Sequence, residues 1–437
     1  MLAALISAFK IPDIRKRILF VFAGFAIFIF TVHVTVPGVN RVLWEQLLST
    51  GGLGGFLGMF TGGALNKFSI CAMGITPYIN ASIIMQLLTI VIPQLEKMAK
   101  EEGEAGRKKI SQYTRYLTVV LAFVQATTMT LGLAKYRSNE GQHIFSIMDN
   151  NLPSYEYALY CALVVVSLTA GTAFLMWLGE QMSDKGIGNG VSMLIFIGIV
   201  LRLPHNVLDT FKIINAGEVS GLRLIAFVVI TIGLIMGIIL IHQGQRRVPV
   251  QYAKRVVGRK MMGGQSTYIP IRVNNAGVIS IIFAISILYF PMTIMGFFQG
   301  KGNWIIDNFT YWFHPSSILY NLSYFLLVVF FTYFYAAVTF NIMDIADNMK
   351  KYGGFIPGIR PGPKTAQYLE KILSRLTFVS AMFLGLIAVL PTYILELTRI
   401  SWQLGSTSLL IIVGVALEFM QQVEARLVMR HYQGFMK

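Results

Sequence analysis

Long runs of apolar residues with few charges recur along the chain, and short polar segments separate them. About 20 residues cross a bilayer as a helix, so each run predicts one membrane span. The ten predicted spans are Ile18–Val36, Phe68–Pro93, Tyr116–Ala134, Tyr157–Gly179, Ile187–Leu201, Leu224–Ile241, Asn274–Phe298, Ser317–Phe340, Leu376–Leu395 and Trp402–Leu417. The fifth is the shortest, because Lys185 and Arg202 bracket it. The pattern therefore predicts an all-α polytopic membrane protein.

Basic residues are concentrated in alternate segments between the spans. With both termini in the cytoplasm, 27 of the 36 Lys and Arg residues fall on the cytoplasmic side. Because Lys and Arg are favoured in cytoplasmic loops, this excess predicts the orientation. The net charge of +16 could also indicate a nucleic-acid partner, but the bias of cytoplasmic loops accounts for it without one.

The segment Arg202–Arg223 divides the predicted spans evenly, with five before it and five after it. We expect three regions: residues 1–201 as an N-terminal half, 202–223 as an external hinge segment, and 224–437 as a C-terminal half. An odd number of spans in each half means that any internal repeat must be inverted in the membrane. The even split suggests such a repeat without establishing it.

Two predicted cytoplasmic loops have unusual compositions. Residues 243–273 carry seven Lys or Arg residues and no Asp or Glu, and the run VPVQYAKRVV followed by glycines predicts a protruding β-hairpin. Residues 341–370 contain KKYGGFIPGIRPGPK, whose three prolines restrict the backbone and predict a stiff projection centred on Arg360. The hairpin is interpreted either as an anionic-lipid patch or topology signal, or as a docking site for a large anionic partner.

The stretch TGGLGGFLGMFTGG, residues 50–63, is apolar but contains seven glycines. Each glycine costs about 1 kcal/mol of helix propensity relative to alanine, so the composition disfavours a stable membrane helix. Without further context, a loosely packed external segment or a re-entrant segment is the plain interpretation.

Residues that could carry chemistry are few. The chain has no HExxH, GxSxG, Walker or EF-hand pattern, and Cys71 and Cys161 lie in apolar runs without metal-ligand spacing. We therefore expect no enzyme activity, no metal and no cofactor. His33 is the only ionisable residue predicted well inside a span. The acidic residues near spans are expected at span ends or in loops: Glu180, Asp184, Asp344, Glu396 and Glu418.

Two alternative classes remain open at this point. An ion-coupled small-molecule transporter with inverted repeats would need buried acids or broken helices around a polar site. An intramembrane hydrolase would need a serine nucleophile paired with His33. The motif GIGNG at residues 186–190 is preceded by no soluble strand and followed by no lysine, so it predicts no phosphate loop. It predicts instead the start of a short helix and the close approach of another backbone.

A pore closed by apolar constrictions is also compatible with the pattern. Ile75 and Ile79 lie one helical turn apart, on either side of Pro77, which we expect to kink the span. Val191 and Ile195 repeat this spacing in the fifth span. Taken alone, such pairs are typical of ordinary core or lipid-facing positions.

Seven longer motifs occur in order along the chain: FSICAMGITPYINASIIMQLL (68–88), GRKKISQYTRY (106–116), FLMWLGEQMSDKGIGNGVS (174–192), QYAKRVVGR (251–259), GGQSTYIPIRVNNAGVI (263–279), DNMKKYGGFIPGIRPG (347–362) and GSTSLLIIVGVALE (405–418). Together they resemble the SecY family, the central subunits of bacterial Sec protein-conducting channels. The resemblance spans essentially the whole chain and agrees with the topology predicted above.

The resemblance implies ten helices in two inverted five-helix halves around an hourglass pore, with a re-entrant plug helix at about residues 50–66. A ring of apolar residues at the waist would grip the translocating polypeptide, and its members are Ile75, Ile79, Val191, Ile195, Ile282 and Ile411. The plug would seal the ring with the apolar residues Leu53, Phe56, Leu57, Met59 and Phe60, and Gly51–Gly52 and Gly62–Gly63 would be its hinges. Spans two and three would part from spans seven and eight as a lateral gate, with gate positions Asn80, Gln125, Ser286 and Phe290.

The resemblance also implies partners. The two basic loops match docking sites for the SecA motor ATPase and for the ribosome, including ribosomal RNA, with the candidate contacts Arg246, Arg247, Lys254, Arg255, Arg259 and Arg360. SecE and SecG would complete the complex, and signal sequences, unfolded polypeptides and membrane lipids would contact it. The motor or the translating ribosome would drive transport, in agreement with the lack of a nucleotide-binding loop. The implied location is the bacterial cytoplasmic (inner) membrane, with multiple passes and both termini in the cytoplasm.

Two positions depart from the family pattern. The first span reads FTVHVTVPG, with His33 as its only ionisable residue, where many relatives carry a basic residue and an aliphatic run before Pro-Gly. Ser280 replaces a proline that is common after GVI, which predicts a less kinked seventh helix.

Overall fold

The computed structural model describes residues 9–50, 61–134, 143–145, 153–215, 217, 220–252, 255–257, 260–262, 266–296, 308, 312–313, 317–398 and 406–435. Its helices are α1 (Pro12–His33), α2 (Arg41–Thr50), α3 (Thr76–Val91), α4 (Pro93–Lys100), α5 (Gly103–Ala134), α6 (Ser154–Lys185), α7 (Gly190–Asn215), α8 (Gly221–Gln243), α9 (Ile279–Gly296), α10 (Ile318–Thr339), α11 (Ile342–Lys351), α12 (Pro363–Thr398) and α13 (Ser406–Phe435). Its strands are β1 (Gln245–Tyr252), β2 (Arg255–Val257), β3 (Lys260–Met262), β4 (Ser266–Arg272) and β5 (Gly354–Phe355).

A helix lies at each of the ten predicted spans. Eight described helices or helix segments are long and apolar enough to cross a membrane, and α3 with α4 forms a further candidate that is bent by 100°. Helix α9 covers the remaining predicted span, with a shorter apolar stretch at Ile279–Leu288. A mostly helical polytopic membrane protein is confirmed, and the described helices are consistent with ten crossings.

The second predicted span differs from its prediction in where it bends. Helix α3 begins at Thr76, so Pro77 lies in the first turn, where its missing N–H would have no helical partner. The predicted kink at Pro77 is therefore wrong. The chain bends instead at Ile92, whose backbone is extended because it precedes Pro93.

Several helices are longer than the apolar runs that predicted them. Helix α7 continues through Arg202 to Asn215, so the predicted short fifth span is wrong in length. Helix α13 has 30 residues and is about 45 Å long, against about 30 Å of hydrocarbon in a bilayer. Glu418 therefore lies within a helix and not at its end. Lys, Arg and Glu are good helix formers, so a charge that ends an apolar run need not end the helix.

The chain folds as two compact units. The first comprises Met1–Ser220, Ile285–Ser317 and Arg399–Lys437, and the second comprises Gly221–Ala284 and Ile318–Thr398. In the first unit, α5 packs against α3 and α6, and α7 packs against α6, α13 and α1. These contacts bury the aliphatic and aromatic faces of the helices and place the N-terminal end of α7 beside α6.

The second unit combines membrane helices with a small antiparallel sheet. Helix α12 packs along α10 and also contacts α8. The sheet has the strand order β4-β1-β5, and β2 and β3 form a separate two-stranded hairpin between β1 and β4. Val248 and Val250 of β1 are buried in one cluster with Met349 of α11 and Leu369 of α12. The predicted β-hairpin is thus confirmed, and it packs on the second basic loop.

Candidate functional site

Five of the six predicted ring residues lie in the first unit, on three helices. Ile75 is the N-cap of α3, and its carbonyl accepts a hydrogen bond from the N–H of Ile79 at 3.1 Å. Val191 and Ile195 lie one turn apart at the start of α7, and Ile411 lies near the start of α13. Because α7 packs on α13, two of the three ring-bearing helices are neighbours. Val191 is partly buried and the other four are buried.

Ile282 belongs to the second unit, in the first turns of α9. Its side chain is buried, and that of the next residue, Phe283, packs edge-to-face on Phe331 of α10, with ring centroids 6.0 Å apart. The position is therefore fixed by packing within its own unit.

The predicted gate contains a buried polar side chain. Asn80 follows Ile79 in α3 and is 5% exposed, and neither of its side-chain polar atoms has a hydrogen-bond partner among the described residues. An unsatisfied buried amide costs about 1–3 kcal/mol, so this position carries a cost that packing alone does not explain. Gln125 is partly buried on α5, which packs on α3, and Ser286 is buried on α9. The side chain of Phe290 lies outside the described residues.

Ser280 is the second residue of α9 and is fully buried. Proline is tolerated in the first turn of a helix, so a proline at this position would not kink α9. The predicted loss of a kink does not follow. The proline inside α9 is Pro291.

The predicted plug side chains lie outside the described residues: Leu53, Phe56, Leu57, Met59 and Phe60. The chain re-enters the described structure at Thr61, which is 2% exposed. Gly62 and Gly63 follow with φ of 64° and 87°, a conformation that glycine adopts without strain. A Cβ at Gly62 would lie 3.2 Å from the Cα of Gly198 in α7. One predicted hinge glycine is therefore packed against a helix backbone.

Residues 61–75 are held by hydrogen bonds and aromatic contacts. The indole Nε1 of Trp44 donates to the carbonyl of Leu65 at 2.7 Å. The ring of Phe68 packs edge-to-face on Trp44 and on Phe145, with centroids 5.0 and 6.2 Å apart. The segment that begins at Thr61 is thus anchored in the core of the first unit.

The predicted docking residues that can be placed are exposed. Arg246 and Arg247 lie on β1, and Arg360 precedes α12. The guanidinium of Arg247 lies 4.9 Å from the ring centroid of Tyr268, a cation–π contact across the β1–β4 pair. The side chains of three candidates lie outside the described part: Lys254, Arg255 and Arg259. Because β5 pairs with β1, both basic loops belong to one β-sheet. A two-residue strand such as β5 leaves no recognisable pattern in the sequence, so this pairing was not predicted.

The ionisable residues of the spans were partly misplaced by prediction. His33 is the last residue of α1 and is exposed, with Nδ1 2.8 Å from the carbonyl oxygen of Ile29, so the prediction that it lies well inside a span is wrong. Glu180 forms an ion pair with Arg115 at 2.8 Å. Within the described residues, no group of three or more His, Cys, Asp and Glu side chains is arranged to hold a metal ion.

The GIGNG motif forms the junction between α6 and α7. Helix α7 begins at Gly190, and a Cβ there would overlap the carbonyl oxygen of Gly179, so the predicted close backbone approach is confirmed. The Asn189 side chain caps the helix by accepting the N–H of Val191 at 3.0 Å. Sequence reasoning missed Ser183, whose hydroxyl joins the two helices. A single serine near a helix end carries no sequence signal that would have identified this role.

These observations define the class of the protein: it is a polytopic helical membrane protein with an aliphatic candidate site. The SecY family model matches residues 69–420. The protein translocase subunit SecY of Streptomyces galbus is 45% identical over 449 residues, and the alignment covers 100% of both chains. The chain therefore belongs to the SecY family.

Solved channel structures share this fold over nearly the whole chain. A SecY structure in which the plug domain stabilises the closed channel and maintains a membrane seal matches with a TM-score of 0.65 at 17% identity, covering 96% of both chains. Sec61 in the canine ribosome–channel complex matches with a TM-score of 0.59 at 16% identity and the same coverage.

Proposed function

We propose that this chain is the channel subunit that moves unfolded secretory polypeptides across the bacterial cytoplasmic membrane and releases membrane segments sideways into the lipid. The observation that carries the proposal is the aliphatic set on α3, α7 and α13, at the positions that the family resemblance assigns to the ring. Its members in the first unit are Ile75, Ile79, Val191, Ile195 and Ile411.

An aliphatic constriction suits a pore that must pass many different sequences. Uncharged side chains make no strong hydrogen bonds or ion pairs, so they bind no single polypeptide tightly. A narrow apolar constriction also resists wetting, which limits ion flow while the channel is closed. No nucleotide or metal is needed for these two tasks, and the driving force comes from a motor ATPase or from the ribosome.

In the proposal, α3 and α5 pack on each other and together form one side of the lateral gate. Asn80 and Gln125 lie on these two helices, and the buried amide of Asn80 has no hydrogen-bond partner among the described residues. A passing signal sequence that offers Asn80 a hydrogen-bond partner would relieve the cost of leaving this amide unsatisfied. Opening is then favoured by the substrate and not by the empty channel.

The plug of the proposal is residues 50–66. The anchoring of Leu65 by Trp44 supports a plug that moves about its C-terminal attachment and remains tethered to the first unit. The low helix propensity of its glycines favours displacement by an arriving chain.

The docking surface of the proposal is the sheet formed by β1, β4 and β5 with its basic residues. Ribosomal RNA is strongly anionic, and the described residues of 243–273 carry basic charge without acids. SecA and the ribosome would use this surface on the cytoplasmic side, where both termini would also lie. SecE and SecG would contact the membrane helices.

Substituting a ring residue with a polar one tests the proposal. In the complex reconstituted into planar bilayers, Ile411→Asn and Ile282→Asn should raise the ion current of the resting channel, because an amide wets the constriction. The same variants should export a precursor whose signal sequence is defective. Ile411→Leu is the matched control, because it keeps an aliphatic side chain. Unchanged currents and unchanged signal-sequence selectivity in both Asn variants would contradict the ring assignment.

A further inference from the structure

One hydroxyl connects the end of α6 to the start of α7. Ser183 Oγ donates to the carbonyl of Gly179 at 3.0 Å and accepts from the N–H of Gly190 at 2.8 Å. The first N–H groups of a helix have no partner inside it, so Gly190 needs such an acceptor. Gly179, Ser183 and Gly190 together form a glycine–serine clasp.

The two glycines of the clasp let the helix backbones touch. A Cβ at Gly190 would overlap the carbonyl oxygen of Gly179 and would lie 2.9 Å from the backbone nitrogen of Ser183. A Cβ at Gly179 would lie 3.2 Å from Cγ2 of Val191 and 3.4 Å from Cδ1 of Leu194. A larger residue at Gly190 would push α7 away from α6, and one at Gly179 would press on the side chains of Val191 and Leu194.

The clasp is adjacent to two ring residues. Val191 directly follows Gly190, and its methyl group packs over Gly179. Ile195 lies one turn further along α7, and the same helix packs against α13, which carries Ile411. A shift of the first turn of α7 away from α6 therefore moves Val191 and Ile195, while Ile411 stays on a separate helix.

The loop within the clasp is tied to two further helices. Ile187 is buried in a cluster with Ile14 and Ile18 of α1 and Val423 of α13. Arg17 Nη1 of α1 donates to the carbonyl of Gly186 at 3.4 Å. These contacts hold the loop against α1 and α13, and the clasp joins the two helix ends that the loop connects.

We propose that the glycine–serine clasp positions Val191 and Ile195 in the constriction, and that Ser183 sets how far they project towards the translocating chain. The inference rests on the proposed channel function. Ser183 is a positioning residue in this proposal, since it acts through α7 and touches no substrate.

Removal of the hydroxyl tests the proposal in the reconstituted complex. Ser183→Ala should raise the ion current of the resting channel about fivefold, the population change expected for the loss of one typical hydrogen bond. Ser183→Thr keeps the hydroxyl and should restore the current. The matched control is Thr169→Val in the same helix, because Thr169 Oγ1 donates to the carbonyl of Val165 at 2.8 Å and reaches no second helix through that bond.

Substrate crosslinking separates positioning from a general structural role. A photo-crosslinking residue is placed at position 195 or 411, and its yield with a stalled secretory chain is measured. Ser183→Ala should lower the yield at 195 relative to the yield at 411, because only α7 moves. A 195-to-411 yield ratio that Ser183→Ala leaves unchanged, with a resting current equal to that of Thr169→Val, would overturn the proposal.

If Ser183→Ala does not assemble, a second variant disturbs the start of α7 by steric contact. Gly179→Ala leaves the hydroxyl in place and presses on Val191 Cγ2, so the resting current should again rise. Adding Val191→Ala removes that methyl group and should return the 195-to-411 crosslinking ratio towards its original value. An unchanged 195-to-411 crosslinking ratio in Gly179→Ala would overturn the positioning role proposed for the clasp. Unchanged currents in Ile411→Asn and Ile282→Asn would instead overturn the channel assignment beneath it.

Discussion

Helices α6 and α8 are both apolar enough to span a membrane, yet they meet different surroundings. The most apolar 18-residue window of α6 has a mean hydropathy of 2.0 and is 50% buried within the protein. The corresponding window of α8 has a mean hydropathy of 3.1 and is 11% buried. The more hydrophobic helix is thus the less buried one. Hydropathy reports tolerance of lipid, whereas contact with protein depends on shape.

The two helices differ clearly in how closely other atoms approach one or two of their glycines. A Cβ at Gly171 of α6 would overlap the carbonyl oxygen of Ile70, and Gly179 lies against Val191. A Cβ at Gly233 of α8 would meet nothing within 4 Å. Small residues permit close backbone contact between membrane helices, so α6 is built for protein contacts on several sides. The exposed face of α8 is built for lipid or for a partner subunit.

The largest expected difference comes from removing a large aliphatic side chain from each helix. Leu168 of α6 is fully buried, so Leu168→Ala should lower the free energy of unfolding by about 2–5 kcal/mol through the cavity it leaves. Ile232 of α8 is 54% exposed, and lipid chains can fill the space left by Ile232→Ala, so its cost should stay within about 0.5 kcal/mol. Unfolding of the purified protein in mixed micelles by added SDS measures both. Equal costs would show that protein and not lipid covers α8.

A smaller difference is expected from adding one methyl group to each glycine. Gly171→Ala should cost about 1–3 kcal/mol, because the new Cβ forces α6 away from the segment around Ile70. Gly233→Ala should be stabilising by up to about 1 kcal/mol, since it gains helix propensity in open space. The same SDS titration compares the two variants. A tolerated Gly171→Ala would mean that the contact with Ile70 can relax freely.

The sequence predicted where the spans lie, since apolar runs of sufficient length are unambiguous, and it predicted the hairpin from the run VPVQYAKRVV and the glycines that follow it. It misplaced the bend, because Pro77 and Pro93 are both in apolar surroundings and only the helix start distinguishes them. It also ended α7 too early at Arg202, because a charge limits an apolar run but not a helix.

The sequence could supply candidate residues for the site, but it could not supply the contacts between them. The family resemblance supplied Val191, Ile195 and Ile411, and the structure adds that α7 packs on α13. Ser183 escaped prediction because a single serine near a helix end has many ordinary roles. Only its two hydrogen bonds, one to each helix, reveal the link.

The smallest expected effect concerns a pair of threonines at which α6 and α8 should behave alike. Thr169 and Thr231 each donate to the carbonyl four residues earlier at 2.8 Å, and both are partly buried. Valine has nearly the same shape without the hydroxyl, and the freed carbonyl keeps its helical N–H partner. Thr169→Val and Thr231→Val should therefore each change the free energy of unfolding by about 0.5 kcal/mol or less. A cost above about 1 kcal/mol for Thr169→Val alone would show that its hydroxyl also serves a neighbouring helix, so that α6 makes a polar contact that Thr231 does not provide in α8.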